Sequence, residues 1–332
     1  MSIKILRPGL VTTLVDEGRT GFRSIGIGPG GAMDLFAMSV ANYLVGNDKR
    51  SATLEIHFPG PEILFQQTHI LAVTGIGFEP RIDDQVVPLW TPFKIEKDSI
   101  LRFGKKTRGS RAYLAVHGGW NAQEWLGSFS THSGVQAGGY RGRALQKNDI
   151  LEAGINKVEV EKEKDLPGGI PPHELNRIYS APHEIRCIAS AETDLLSPSS
   201  ENEMFTSSFI IHRQSNRMGY RLEGVSLFLR QSVELISSPV DFGTIQLLPD
   251  GNLIVLMADH QTTGGYPRIA SVSQVDLPKL AQLNPGEKIN FKMISFFEAE
   301  SELLSREKHL AELRHTYLIH FKKLLYRDST FD

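Results

Sequence analysis

The feature that most constrains this chain is a series of short alternating or apolar runs separated by turn-forming residues. Alternation with a period of two is typical of half-buried β-strands, and clusters of Gly, Pro, Asn and Asp between the runs predict turns. The 30 Gly and 17 Pro among 332 residues fit a chain with many turns. The sequence therefore predicts a mainly β protein. The runs are SIKILRPG, ILFQQTHILAVTG, PFKIEKDSILRFG, SRAYLAVHGG, NKVEVEKE, HEIRCIAS, SSFIIHRQ, VSLFLR, GNLIVLMAD and KINFKMISFF.

Two segments depart from this pattern and predict helices. The first is MDLFAMSVANYLVG, residues 33–46, in which apolar residues recur at helical spacing and Gly46 is a stop signal. The second runs from about Glu298 to Tyr326, with one apolar and one charged face. An amphipathic helix of this kind is expected to pack on its own domain or on a partner rather than on a membrane.

A change in composition near the middle of the chain predicts a linker. Residues 164–177, KDLPGGIPPHELNR, are rich in Pro, Gly and charge and separate two β-rich halves. We therefore predict domains at 1–175 and 176–300, followed by a C-terminal helical extension at 301–332.

The net charge and the cysteine content argue against nucleic-acid binding, membrane binding and a disulfide-stabilised fold. The net charge of −2 gives no general attraction to nucleic acid or to an anionic membrane. The single cysteine, Cys187, allows no intrachain disulfide and suits a reducing cytoplasm, where we expect it to be a buried structural thiol. We expect neither a signal peptide nor a transmembrane helix, because the N-terminal residues lack a long apolar segment and no apolar run reaches about 18 residues.

Common motifs of nucleotide, metal and hydrolase chemistry are absent or misplaced. GIGPGG, residues 26–31, matches G-x-G-x-x-G, but no apolar strand precedes it and Pro29 lacks the N–H that a phosphate cradle uses. We interpret it as a turn ahead of a helix. The sequence has no P-loop, no HExxH and no G-x-S-x-G. We therefore expect no metal site.

Four dense polar blocks mix Gly with functional side chains. They could be tight loops whose polar groups cap turns, but four in one chain favour a shared polar cleft. Within the first block we expect Asp34, Asn42 and Asn47 to be mainly structural, since Asp34 and Asn47 flank the first helix and suit capping. The blocks are residues 30–47, 127–145, 215–224 and 242–270.

The order of these blocks carries a family resemblance. GGAMD, ANYLVGN, ATLEI, FPGPEILF, RAYLAVHGG, SNRMGYRLEG, GTIQLLPDG and ADHQTTGGYP occur in this order between about residues 5 and 296. The chain resembles the biotin-dependent carboxyltransferase-like family. That family includes the C subunit of bacterial 5-oxoprolinase, the antagonist of a sporulation-kinase inhibitor and the carboxyltransferase half of urea carboxylase. One departure is Phe129, where family members often carry Arg.

The resemblance implies a fold, an activity and partners. The fold is two cyclophilin-like β-barrel domains with a few helices and a cleft between them. The activity is ATP-dependent opening of 5-oxoproline to glutamate, in a complex with two partners, a kinase-inhibitor-like B subunit and the A subunit of 5-oxoprolinase. Two alternatives stay open: a non-catalytic regulator that binds a kinase-inhibitor-like partner, and a biotin-dependent carboxyltransferase component acting on urea or a related amide.

Opening a lactam requires a polarised carbonyl and an activated nucleophile. We therefore look for groups with these roles in the polar blocks at residues 215–224 and 242–270. Asp259 and His260 are candidates for proton transfer, and Gln261 for orienting a carbonyl or water. Candidates for substrate binding are Arg217, Arg221, Thr262, Thr263, Tyr266 and Arg268.

Each assignment has a structural alternative. Asp259 is equally suited to capping an Asx-turn, and Tyr266 to packing its ring beside a rigid turn at Pro267. Arg217 and Arg221 are four residues apart, so they share a face on either a helix or a strand. An anionic ligand between them, or an internal partner such as Glu223 or Asp259, would relieve their repulsion.

Overall fold

The fold is known from a computed structural model that describes residues 2–154, 165–181 and 183–327. Within these residues the chain forms mostly short antiparallel strands with a few helices, which confirms the mainly β prediction. The strand predicted in NKVEVEKE, residues 156–163, lies outside the described residues.

The chain divides into two compact units. Unit 1 contains residues 1–19, 34–175 and 308–332, and unit 2 contains residues 20–33 and 176–307. The boundary after residue 175 falls inside the predicted linker. The three predicted domains stay a prediction, and each unit is described below by itself.

Unit 1 contains two antiparallel sheets around one core. The sheet orders are β11-β1-β4-β9-β6-β7 and β2-β3-β10-β5-β8, and apolar side chains from both sheets fill the core. Every second residue of β1 points inward, as the alternation in SIKILR predicts. The strands are β1 (Ser2–Arg7), β2 (Thr12–Val15), β3 (Thr53–His57), β4 (Glu62–Phe65), β5 (His69–Gly75), β6 (Phe78–Ile82), β7 (Gln85–Val86), β8 (Pro92–Ile95), β9 (Ser99–Lys106), β10 (Arg111–Val116) and β11 (Ile150–Glu152).

The first predicted helix is confirmed as α1 (Leu35–Leu44). The Asp34 carboxylate accepts the Ala37 N–H at 2.9 Å and so caps the helix N-terminus. Gly46 follows the helix with φ +70°, a conformation that favours Gly at a helix end. Every residue of α1 after Leu35 is buried, so the helix is packed on nearly all sides. The linker region contains a second short helix, α2 (Pro172–Tyr179).

Unit 2 is built on a closed barrel of seven strands in the order β12-β19-β16-β17-β14-β13-β20. β15 and β18 pair outside the barrel as a two-stranded ribbon. The helices of this unit are α3 (Pro198–Thr206) and α4 (Leu277–Ala281). The strands are β12 (Glu184–Ala189), β13 (Ser208–Ile211), β14 (Gly219–Glu223), β15 (Ser238–Pro239), β16 (Thr244–Leu247), β17 (Leu253–Leu256), β18 (Thr263–Gly264), β19 (Arg268–Val272) and β20 (Lys288–Met293).

One predicted strand of unit 2 is wrong. VSLFLR, residues 225–230, forms only an isolated bridge between Leu229 and Leu196. The barrel is closed by β13, β14 and β17, so no sheet edge remains there for another strand to join. The segment instead buries Leu227 in the core of unit 2 and leaves Phe228 exposed.

The C-terminal helix is confirmed and is longer than predicted, spanning Phe296–Arg327 as α5. Its part in unit 1 buries Leu310, Tyr317 and Phe321. The Phe321 ring stacks on His117 at 5.0 Å, and the Tyr317 hydroxyl donates to the Gly168 carbonyl at 2.8 Å. Packing on its own chain is therefore the observed role of this helix.

The thiol of Cys187 lies in the core of unit 2, which confirms its predicted structural role. Burial raises its pKa to about 12, so the reactive thiolate is suppressed. None of the helices in the described ranges has the length and apolar character needed to cross a bilayer.

Candidate functional site

The candidate site of unit 2 begins where strand β17 leaves the barrel. The apolar run continues through buried Met257 and Ala258, and the chain then turns so that Asp259 is exposed. The His260 N–H donates to the Met257 carbonyl at 3.0 Å, and the Asp259 N–H donates to the Arg217 carbonyl at 2.8 Å. These backbone bonds fix the loop on the rigid barrel end, which is where functional loops are commonly placed.

Arg217 and Asp259 form a bidentate ion pair in this loop. Arg217 Nε lies 2.7 Å from one carboxylate oxygen of Asp259, and Nη2 lies 2.9 Å from the other. Arg217 Nη2 also donates to the Gly31 carbonyl at 2.6 Å. The planar guanidinium therefore joins segment 20–33 to the loop after β17.

The two predicted arginines do not lie in the same helix or strand. Arg217 lies in a bend before β14, whereas Arg221 lies within that strand and is exposed. The positive charge of Arg221 helps to lower the pKa of Asp250, after the hydrogen bonds from Asn252. Arg217 thus has Asp259 as its internal partner, one of the two alternatives open from the sequence. Binding of an anionic ligand by either arginine stays a prediction.

His260 is buried, with 2% of its surface exposed, and its ring is held in one orientation. Nδ1 lies 2.6 Å from the Gln261 carbonyl, which can only accept a hydrogen bond. In the neutral ring Nδ1 therefore carries the proton and Nε2 carries the lone pair. In the described part of the chain, Nε2 is buried without a hydrogen-bond partner.

Burial lowers the pKa of His260 from its ordinary value of 6.5. The Gln261 carbonyl and the charges of Asp241 and Asp259 act in the opposite direction, and the charge of Arg23 lowers the pKa further. The imidazole is therefore neutral at pH 7, and Nε2 is available as a hydrogen-bond or proton acceptor.

Segment 20–33 provides groups that sequence reasoning did not assign to this site. Arg23 Nη1 lies 2.6 Å from the Asp241 carboxylate, and Nη2 donates to the Val240 carbonyl. A Cβ at Gly28 would lie 3.0 Å from the His260 carbonyl oxygen, so only Gly fits there without displacement. Arg23 and Asp241 are 218 residues apart in sequence, and no local signal relates them.

Thr262 and Thr263 lie at the ribbon formed by β15 and β18 and take part in its backbone pairing. Thr263 pairs with Pro239 in the ribbon, and the Thr262 carbonyl accepts the Val240 N–H at 3.2 Å. Both threonines thus hold the loop through the backbone, and the Thr263 side chain is exposed.

Buried Gln246 connects the ribbon to Tyr266. Its Nε2 donates to the Tyr266 carbonyl at 3.3 Å, and in the described structure its Oε1 is buried without a partner. Tyr266 is 46% exposed and lies outside the core, and packing of its ring beside the turn at Pro267 stays a prediction.

Arg268 is held apart from the Arg217 pair. Its Nε and Nη2 bind the two carboxylate oxygens of Glu192 at 2.8 and 2.5 Å. These hydrogen bonds lower the pKa of Glu192 and raise that of Arg268. The structure therefore brings Arg217, Asp259, His260 and Gln261 together, while Arg268 binds Glu192 and Arg221 is exposed on β14.

The polar side chains in the two blocks of unit 1 make hydrogen bonds within that unit, as expected for structural residues. Asn42 Nδ2 donates to the Ser51 carbonyl at 2.8 Å, and Asn47 Nδ2 donates to the Val116 carbonyl at 2.8 Å. In the second block, Asp16 accepts hydrogen bonds from the hydroxyls of Ser128 and Ser130 at 2.6 Å each. A cleft shared by all four blocks stays a prediction.

The carboxyltransferase domain family, subdomain A and B, matches residues 25–293 of this chain. The C subunit of 5-oxoprolinase from Escherichia coli is 37% identical over 316 residues, covering 94% of this chain and 97% of that protein. The C subunit of the Haemophilus influenzae 5-oxoprolinase is 35% identical over 91% of this chain and 94% of its own length.

Larger proteins contain a similar region. The urea amidolyase of Saccharomyces cerevisiae is 31% identical over 96% of this chain, which corresponds to 18% of that protein. The crystal structure of the Kluyveromyces lactis urea carboxylase superposes with a TM-score of 0.83 and 29% identity, covering 94% of this chain and 29% of that one.

Proposed function

This chain belongs to the carboxyltransferase domain family, subdomain A and B, and we propose that it is the C subunit of an ATP-dependent 5-oxoprolinase. The complex cleaves 5-oxoproline to L-glutamate with hydrolysis of ATP. The observation that carries this proposal is the similarity to the C subunits of two 5-oxoprolinases along nearly the whole of both chains. We place the complex in the cytoplasm, where ATP is available.

The His260 loop is the part of this chain that we assign to the chemistry. Neutral His260 accepts a proton at Nε2 from the attacking water, whose oxygen bonds to the lactam carbon, and the imidazolium then gives this proton to the ring nitrogen as the C–N bond breaks. The Arg217–Asp259 pair anchors the start of the loop, and the exposed Gln261 amide orients the carbonyl or the water. Because Nε2 is buried, the loop has to shift before substrate reaches it.

ATP is bound by another protein of the complex in this proposal. The sequence has no P-loop, and among the described residues the guanidinium of Arg217 is paired with Asp259. We therefore expect the chain to be active only together with the A subunit of the enzyme and a kinase-inhibitor-like B subunit. Transfer of the γ-phosphoryl group of ATP to the lactam oxygen would release ADP and make the lactam carbon more electrophilic. Ring opening would then leave an acyl phosphate, which a second water would hydrolyse to the carboxylate and phosphate.

A second candidate function is a carboxyltransferase component acting on urea or a related amide. The superposition on urea carboxylase favours it, although the chain corresponds to only 29% of that protein. The two candidates differ in their need for biotin, so sensitivity to avidin separates them.

The test is glutamate release from 5-oxoproline by purified components. We expect release only when ATP, this chain and both partner proteins are present, and no effect of avidin. The chain alone should release no glutamate. Equal rates of glutamate release for the chain alone and for the mixture would refute the requirement for the two partner proteins. Avidin-sensitive turnover of urea would favour the carboxyltransferase function.

A further inference from the structure

Gln246 is a buried polar residue of unit 2 that the sequence did not assign to the site. It lies in β16, a strand of the closed barrel, and 1% of its surface is exposed. Burying an amide costs free energy unless its hydrogen bonds are made, so a buried glutamine in a barrel strand requires an explanation.

Only one half of the Gln246 amide has a partner in the described structure. Nε2 donates to the Tyr266 carbonyl at 3.3 Å, whereas Oε1 is buried without a partner. The reverse orientation would place two acceptor oxygens against each other, so the Tyr266 carbonyl decides which way the amide points. The amide therefore directs its donor at the far end of the His260 loop, which connects β17 to β19.

The barrel strand changes its pairing at this residue. The register of β16 against β19 shifts between Ile245 and Gln246, and a bulge of this kind re-aims side chains and is common beside functional sites. The next residue, Leu247, donates its N–H to the Pro267 carbonyl at 3.0 Å. Two successive residues of the barrel thus hold Tyr266 and Pro267, the last residues of the loop.

Gly264 of the ribbon packs directly on the Gln246 amide. A Cβ at this position would lie 2.6 Å from Nε2 of Gln246 and 3.4 Å from Cγ1 of Val240, so a larger residue would displace the amide. The Val240 N–H in turn donates to the Thr262 carbonyl at 3.2 Å. The position of the ribbon, which begins two residues after His260, therefore depends on Gln246.

The ribbon is joined to the imidazole through a single residue. Thr262 follows Gln261, whose carbonyl lies 2.6 Å from Nδ1 of His260 and leaves the lone pair on Nε2. A shift of the ribbon would thus move the group that sets the tautomer and the orientation of the ring.

We propose that Gln246 is a positioning residue for His260: it holds the far end of the loop and, through the ribbon, keeps the imidazole in the orientation that proton transfer requires. Gln246 acts through other residues of this chain and does not contact the substrate. The expected effect on turnover rests on the proposed function, whereas the effect on the imidazole is a property of this chain alone.

Gln246→Met keeps the length of the side chain and removes its donor. The lost hydrogen bond and the removed unpaired acceptor affect stability in opposite directions, so the melting temperature should change little. In the assembled complex we expect kcat for glutamate release to fall by about 10-fold, with KM changed less than about twofold, because a misplaced base slows the chemical step more than it weakens substrate binding.

Gln282→Met is the matched control. Gln282 is a buried glutamine of the same unit and lies at the end of α4, outside the His260 loop. This variant should retain full turnover.

A second readout needs neither substrate nor partner proteins. Diethyl pyrocarbonate acylates the lone-pair nitrogen of neutral histidine, and mass spectrometry of the modified full-length chain measures the rate at His260. Since Nε2 is buried, the wild-type rate should be low. Gln246→Met should raise it by about tenfold, because acylation requires local opening of the loop. Neither Gln282→Met nor the rate at His212 should show such a change.

Gly264→Ala tests the same contact from the other side, since its methyl group displaces the Gln246 amide. It should also raise the acylation rate at His260. The double variant should show no further increase beyond the larger single effect, because both changes act through one contact.

Normal kcat for Gln246→Met, an unchanged acylation rate at His260, or equal effects of Gln282→Met overturn the inference. A lower melting temperature with normal kcat also overturns it, since Gln246 is then structural only. If the assembled wild-type complex releases no glutamate, the proposed function fails, and the acylation rates still decide whether Gln246 holds His260.

Discussion

The buried hydroxyl of Tyr113 in unit 1 and the buried imidazole of His260 in unit 2 differ in how completely their hydrogen bonds are made. The Tyr113 hydroxyl accepts the Asp34 N–H at 2.8 Å and donates to Glu55 at 2.8 Å. Glu55 also lies 3.7 Å from Arg111 Nε and 3.6 Å from His57 Nε2. His260, by contrast, has a buried acceptor without a partner in the described chain.

The difference separates two uses of buried polar groups. Hydrogen bonds in a complete network offset the free energy cost of removing its polar groups from water, and they stabilise one packing arrangement. Such a network is therefore expected to contribute to the stability of the fold. A buried acceptor left without a donor costs about 1–3 kcal/mol, and a site that binds a ligand donor can retain it for function. Variants in the Tyr113 cluster should therefore lower stability, and variants at His260 should lower activity.

The largest expected effect is on turnover by His260→Asn. The Asn side chain can still donate to the Gln261 carbonyl but has no equivalent of Nε2. We expect kcat of the assembled complex to fall by about 100-fold or more, equivalent to about 3 kcal/mol, with little change in melting temperature. Because burial lowers the pKa of His260, wild-type activity should persist as pH falls to 6.5 and decline only below it.

His212→Asn is the matched control, since His212 is a half-buried histidine of the same unit that lies 3.3 Å from Glu223. It should retain full turnover. Normal turnover by His260→Asn, or a loss of activity explained by a lower melting temperature, would break the proposed contrast between the two regions.

A second prediction asks whether an unpaired histidine by itself marks a functional site. His69 in unit 1 is fully buried beside Phe65, and in the described structure neither ring nitrogen has a partner. Burial lowers its pKa from 6.5 to about 4. Between these values the unfolded state binds more protons, so the free energy of unfolding should fall by about 3 kcal/mol as pH decreases from 6.5 to 4.

His69→Leu removes the titrating group and keeps an apolar side chain of similar size. Its stability should depend less on pH between 6.5 and 4, as measured by denaturant unfolding at each pH, while turnover at pH 7.5 is retained. If this variant loses turnover with an intact fold, His69 belongs to a functional site and the distinction drawn from His260 is wrong.

The smallest expected effect is at the cap of α1. Asp34→Ala removes the acceptor for the Ala37 N–H and should destabilise unit 1 by about 1 kcal/mol. Asp34→Asn keeps an acceptor oxygen and should cost less. Thermal melting measures both, and retained turnover supports a structural role. Unchanged melting with lost turnover would move Asp34 into the site.

Local patterns predicted a large part of the fold. The helical spacing in residues 33–46 and the stop at Gly46 correspond to α1, and the amphipathic C-terminal segment corresponds to α5. The VSLFLR strand failed because alternation indicates how a segment could pair but not whether a sheet edge is available to it.

The candidate site was predicted only in part. The polar residues after β17 were identified because a dense cluster of functional groups follows an apolar run. The spacing of Arg217 and Arg221 suggested a pair, but Arg217 lies outside the strand that contains Arg221. Glu192 had no sequence signal, because its interaction with Arg268 depends on a contact 76 residues away.

The sequence by itself determined the mainly β class, both long helices, the unreactive environment of Cys187 and the family, since these depend on local periodicity and on long ordered motifs. Only the tertiary structure decided that Arg217 binds Asp259, that Arg23 binds Asp241 and that His260 is buried in one tautomer. The physical reason is that the two ion pairs join residues far apart in sequence, and that the burial of His260 depends on how the tertiary structure packs around it. Local spacing contains no information about that packing.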